Sequence, residues 1–169
     1  MSLNFLPDLC FRSFDCVSPE FLVSLGIKGI ILDVDNTLEP YENPLPSDKV
    51  KIWLESLRLH GISAAIVSNN DASRIDVFNS EIGIPAFSKA GKPFKKNVIL
   101  AMSEIGSDAT NTVLMGDQVF TDVWAAHNAG IKAILVPPIK DKTDFFTKLK
   151  RILEKPILKK YERKYGKIK

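Results

Sequence analysis

Gly29-Ile30-Ile31-Leu32-Asp33-Val34-Asp35-Asn36-Thr37-Leu38 is the stretch whose reading decides the fold. Three aliphatic residues run together and stop at an acid. A short continuous apolar run suits a strand buried on both faces, as in a parallel sheet. The pattern recurs along the chain. Ala64-Ala65-Ile66-Val67 stops at Ser68-Asn69-Asn70, and a short strand over 85–87 leads into Gly91-Lys92-Pro93. Thr112-Val113-Leu114-Met115 stops at Gly116-Asp117, and a last strand over 131–136 is closed by Pro137-Pro138. Helical stretches lie between the strands. Ser18-Pro19-Glu20 reads as an N-cap with proline at the first helical position, in a helix closed by Gly26. Ser47 caps a helix over 48–60, and others run over 72–82, from Pro93 to about Gly106, and over 123–129. Five strands alternating with helices predict an α/β chain: a Rossmann-like five-stranded parallel sheet with helices on both faces and right-handed crossovers.

Length and composition set the frame for this pattern. A chain of 169 residues, 45% hydrophobic and 25% charged, is long enough to bury a core and predicts a single domain over 1–169. No apolar run approaches the roughly 18 residues of a membrane span. The N-terminus has no basic region followed by an apolar stretch and carries Asp8 and Asp15, which argues against a secretory or transit peptide and predicts a cytoplasmic protein. Cys10 and Cys16 have no histidine cluster nearby, so they read as two reduced thiols rather than a zinc site. Charge is unevenly spread. Residues 148–169 hold ten Lys/Arg against Glu154 and Glu162, a net +8, while the remaining 147 residues carry −5. An acidic body with a basic tail suggests a separate task for the tail.

Ligands of open α/β sheets bind beyond the carboxyl ends of the strands. Those ends carry Asp33, Asp35 and Thr37, then Ser68 and Asn69, then Lys92, then Asp117 and Asp122. Each group alone is compatible with an ordinary polar turn, a solvated lysine or a helix cap. All four, in order, each at a strand end, point to one site. Clustered carboxylates repel unless a cation neutralises them, and hard oxygen donors without His or Cys select Mg²⁺. Lys92 and the Ser68 hydroxyl suit phosphate oxygens. A carboxylate nucleophile, a metal and a cation make a phosphoryl-transfer set, and Asp35 is placed to protonate a leaving oxygen and then activate water.

DVDNTL, IVSNN, Lys92 in GKP, and GDQVFTDV resemble the four motifs of the haloacid dehalogenase (HAD) superfamily, and the resemblance covers most of the chain. The opening LPDL and the GIKGIILDVDNTL segment look like the YqeG branch of subfamily IIIA, similar to mitochondrial phosphatidylglycerophosphatases. The resemblance implies a Mg²⁺-dependent phosphomonoester hydrolase working through an aspartyl-phosphate, with phosphatidylglycerophosphate as candidate substrate. It implies Asp33 as nucleophile, Asp35 as general acid/base and Lys92 as a catalytic cation. Asn36, Thr37, Ser68, Asn69 and Lys92 would contact substrate phosphate. Asp33, the Asp35 carbonyl and Asp117 would bind metal, and Asp122 would support the metal or Lys92. Gly91 before Lys92 departs from the family pattern.

Only about ten residues separate Leu38 from the next helix, and 70–92 has room for one helix and one short strand, so no inserted cap is expected. An open site suits a lipid headgroup or a protein; a soluble sugar phosphate or a phosphoprotein is the alternative substrate, and oligomer contacts are compatible with either. In the tail (141–169), Phe145, Phe146, Leu149, Ile152 and Leu153 form one apolar face and Ile157, Leu158, Tyr161 and Tyr165 another. Pro156 predicts a break between them, with the first helix packed on the core and the second lying on an anionic membrane. Nucleic acid is disfavoured by the acidic body. A phospho-accepting signalling domain is the rival from another class; Asp35, two residues beyond the nucleophile, argues for turnover instead.

Overall fold

A computed structural model describes residues 4–140, 145–166 and 168, with backbone alone at 145–147 and 151. Residues 141–144 at the start of the tail lie outside the described residues. The strands are β1 (Leu9–Cys10), β2 (Gly29–Leu32), β3 (Ser63–Val67), β4 (Ala86–Phe87), β5 (Thr112–Gly116) and β6 (Lys132–Leu135). The helices are α1 (Pro19–Ser24), α2 (Asp48–Leu59), α3 (Ala72–Asn79), α4 (Lys96–Glu104), α5 (Trp124–Ala129) and α6 (Phe145–Tyr165). All strand pairs are parallel, in the order β1-β6-β5-β2-β3-β4.

The Rossmann-like α/β expectation holds, with a correction: the sheet has six strands, not five. β1 escaped because it is two residues long, and its short apolar run Leu9-Cys10-Phe11 is preceded by no helix-and-glycine punctuation. Polar groups fix its register. Asp8 N donates to the Ala133 carbonyl at 3.1 Å, and its Oδ2 accepts from Ala133 N at 2.8 Å. His127 on α5, largely covered, also anchors this segment through contacts to Asn4 O at 2.6 Å and Asp8 Oδ2 at 3.0 Å. Acceptors at both ring nitrogens favour the imidazolium, and the Asp8 bond raises His127 above its usual value.

Side chains alternate across the strands. Ile30, Leu32, Ile66, Val113, Met115 and Ile134 face one layer with Trp53, Leu57, Ile75 and Phe78 of α2 and α3. Ile31, Ala65, Val67, Leu114, Ala133 and Leu135 face the other, with Val98, Met102, Ala126 and Tyr161 of α4 to α6. Each large aliphatic side chain so buried contributes on the order of 1.5–3 kcal/mol.

The helix starts are mostly as read: Ser18 Oγ accepts from Phe21 N at 3.2 Å. Pro93 does not open α4, which begins at Lys96. Pro156 does not end a helix; α6 runs through it. Pro156 is exposed, so the carbonyl that loses its partner can take water. The two apolar faces are also reversed over the described side chains, which do not include Phe145 and Phe146. Leu149, Ile152 and Leu153 are exposed, while Ile157, Leu158 and Tyr161 pack on the core. Tyr161 wins because its hydroxyl accepts from Cys10 N at 3.0 Å, satisfying β1 as well as burying a ring. No domain is inserted between β2 and α2 or between β3 and β5. Buried Glu39 ties the first of these loops down, accepting from Ser47 N at 2.9 Å and Asn43 Nδ2 at 3.0 Å.

Candidate active site

β2 lies between β3 and β5, and the chain leaves it on one side before returning to the other. Its carboxyl end is therefore a switch point of the sheet, where a crevice opens. Asp33, Asp35, Asn36, Ser68, Asn69, Lys92, Asp117 and Asp122 all line that cleft, whose volume is about 330 Å³. Thr37 lies behind it, its hydroxyl 3.4 Å from Asp33 Oδ2. Eight of the nine residues expected from the sequence thus line one opening, and buried Thr37 reaches it only through Asp33.

At its base is a buried charge cluster. Lys92 Nζ lies 2.8 Å from Asp33 Oδ1 and 2.6 Å from Asp122 Oδ1. Burial works against the ammonium, but Asp122 and Asp33 outweigh it and hold Lys92 protonated above the usual lysine range. Burial pushes the Asp33 carboxyl up to about 6; Lys92 opposes this, and Asp122 and Asp35 add to it. Asp122 meets Lys92 with one oxygen. Its other oxygen accepts from Gln118 N at 3.0 Å.

Local sequence explains these placements. Gly116 has no Cβ because one there would collide with the Asp122 side chain, which folds back over it. Between them Val119–Val123 forms a π-helical turn. Gly91 has φ +67°, a left-handed conformation that glycine adopts without strain, so the departure before Lys92 is accommodated by the backbone. Asn69 clamps Lys92 from both sides, its Oδ1 accepting from Lys92 N at 2.7 Å and its Nδ2 donating to Lys92 O at 3.1 Å.

Carboxylate oxygens of Asp33, Asp117 and Asp122 lie within 4.8 Å of one another, a hard-donor set that could hold a metal ion. The Asp35 side chain stands outside this set but lines the same cleft, its oxygens accepting from Asn70 Nδ2 at 2.8 Å and pairing with Arg74 Nη2 at 3.0 Å. Arg74, Asn70, Tyr41 and Lys150 were not identified as site residues from the sequence. Arg74 sits on α3 and Lys150 on α6, and no strand-end motif marks either. A larger cleft of about 720 Å³ opens at the opposite end of β3, but both its cations pair with its own acids, Lys51 with Glu81 and Arg58 with Glu55.

A family model described as HAD-hydrolase-like matches residues 89–144, the span from before Lys92 to beyond β6. Over 160 residues the chain is 36% identical to "Probable phosphatase YqeG" of Bacillus subtilis (strain 168), covering 95% of this chain and 93% of that protein. It is 26% identical over 176 residues to phosphatidylglycerophosphate phosphatase 1, chloroplastic/mitochondrial, of Arabidopsis thaliana, covering 94% of this chain and 49% of the relative. Two solved structures share the fold. The cobalt-bound deoxy-D-mannose-octulosonate 8-phosphate phosphatase (YrbI) of Haemophilus influenzae matches with TM-score 0.55 at 18% identity, over 81% of this chain and 90% of that one. The Moraxella catarrhalis 3-deoxy-D-manno-octulosonate 8-phosphate phosphatase, in complex with magnesium, phosphate and KDO, matches with TM-score 0.54 at 16% identity, over 85% and 95%. Likeness to YqeG along nearly the whole of both chains makes the assignment: the chain belongs to the haloacid dehalogenase-like hydrolases and is a phosphatase of that family.

Proposed function

We propose that the protein hydrolyses phosphate monoesters by two displacements, with Asp33 as nucleophile and an aspartyl-phosphate between them. The observation that carries this reading is the Asp33 carboxylate, at the end of β2, facing the cleft with Lys92 at 2.8 Å. Asp33 attacks phosphorus, and the bond to the leaving oxygen breaks. Asp35 gives that oxygen its proton, then takes one from the water that releases phosphate. Lys92, with the Ser68 hydroxyl, Asn69, Asn36 and Thr37, holds the phosphoryl oxygens. Asp33, the Asp35 carbonyl and Asp117 would hold Mg²⁺, with Asp122 keeping Lys92 in place. Bound there, the metal would neutralise charge on the transferring group; the Moraxella relative's complex with magnesium supports this choice of ion.

The candidate substrate is phosphatidylglycerophosphate. The Arabidopsis relative and a cleft with no inserted cap support it. Exposed Leu149, Ile152 and Leu153, among Lys148 and Lys155 on α6, would rest on the anionic surface where such a lipid lies. The test is a panel of phosphomonoesters that includes this lipid in anionic vesicles, assayed with Mg²⁺ and with excess chelator. Turnover that needs Mg²⁺ and vanishes in Asp33→Asn is expected. Full activity in that variant would overturn the mechanism.

A further inference from the structure

One cation of the cleft has no place in the chemistry proposed above. Lys92 is closed between Asp33 and Asp122, and Arg74 pairs with Asp35 and donates to the Pro44 carbonyl at 2.8 Å. Lys150 lines the same cleft, is exposed, and takes part in no ion pair among the described residues. It arrives from α6, outside the strand-end motifs.

Its position is built. One helical turn further along the same side of α6 is Glu154, only 3% exposed. Its Oε1 accepts from Val119 N at 2.8 Å, at the head of the turn that carries Asp122. A buried carboxylate is costly unless it is hydrogen-bonded. Here it locks α6 to the loop of the catalytic cluster, and Tyr161, two turns further, locks the helix to β1. Lys150 is therefore held at the mouth of the cleft by contacts deeper in the fold.

The scissile phosphoryl group belongs at the buried base, beside Asp33 and Lys92. What projects outward past exposed Lys150 is the leaving group. Resting on the phosphatase reading, we infer that Lys150 selects substrates whose leaving group carries a second anion, such as a phosphodiester or a carboxylate. An ammonium on a flexible stem is a point charge that accepts either. Phosphatidylglycerophosphate meets the requirement through its phosphodiester; a simple alkyl or aryl phosphate does not.

The test compares three soluble substrates in the full-length protein with Mg²⁺. Glycerol 3-phosphate has no second anion, 3-phosphoglycerate adds a carboxylate, and dihexanoyl phosphatidylglycerophosphate adds a phosphodiester. Lys150→Ala should lower kcat/KM for one or both of the latter by about tenfold relative to glycerol 3-phosphate, the scale of a hydrogen bond to a charged group. The substrate affected identifies the anion. Lys150→Arg should restore the ratio, Lys150→Glu should depress it further, and Lys159→Ala, at an exposed position on α6 away from the cleft, should leave it alone. Calorimetric binding of the same compounds to Asp33→Asn gives a readout that does not need turnover. Ratios and affinities unchanged in Lys150→Ala, or an equal loss in Lys159→Ala, would overturn the inference. Absent turnover with selective binding intact would instead count against the phosphatase reading.

Discussion

Burial pushes the Asp33 carboxyl up to about 6, against the pull of Lys92, so on the proposed mechanism the nucleophile would be lost to protonation just below neutrality. A cation at the acidic cluster would favour the ionised form. kcat/KM should then fall about tenfold per unit below pH 6 at low Mg²⁺, once the substrate's own ionisation is divided out. Raising Mg²⁺ should move this limb to lower pH. A profile that stays flat to pH 4.5 at low Mg²⁺ would show that Asp33 is not the titrating nucleophile. The raised value also costs stability. A group whose folded pKa is raised contributes most below its unfolded value and loses that contribution as pH rises through the folded one. The metal-free protein should therefore lose stability between about pH 4 and 6 on this account, and Asp33→Asn should not lower its Tm at neutral pH.

Elements place these residues, and the turn after β5 illustrates how. Gly116 ends the strand, the chain makes one π-helical turn over Val119–Val123, and Asp122 comes back over the glycine. Gly116→Ala should push Asp122 away and let Lys92 shift, because a Cβ there has no room. A displacement of about 1 Å in such a site can cost about 10²-fold in rate. The variant should keep its circular dichroism spectrum while its turnover falls on that scale; wild-type kinetics would show that Asp122 is not needed where it lies. The motif Gly116-Asp117 followed by Asp122 was legible as chemistry because each acid stands at a strand end or one turn beyond. The contact between Gly116 and Asp122 was not, because nothing local says that the chain folds back.

The whole molecule decides what the basic tail can do. Its second half, read from sequence as a free membrane segment, is docked by Ile157, Leu158 and Tyr161. Deleting the chain from Pro156 onward should destabilise the fold by at least about 3 kcal/mol, from lost burial and the Cys10–Tyr161 hydrogen bond, and should lower Tm accordingly. Exposed Leu149, Ile152 and Leu153 carry the membrane proposal. Replacing Leu149, Ile152 and Leu153 with serine should release the protein from anionic vesicles at low salt with little change in Tm. Equal co-sedimentation of this variant and the wild type would sink the idea.

The sequence by itself determined the alternation of strands and helices and the four strand-end motifs. Buried parallel strands need continuous apolar runs, and catalysis needs polar residues where those runs stop. Only the tertiary structure decided the sixth strand, the path of α6 and the arrival of Lys150 and Arg74 at the cleft. Two-residue β1 is held by long-range polar contacts from Asp8. The packed face of α6 was chosen by which of two apolar faces met the sheet with its hydroxyl satisfied, a choice no local periodicity records.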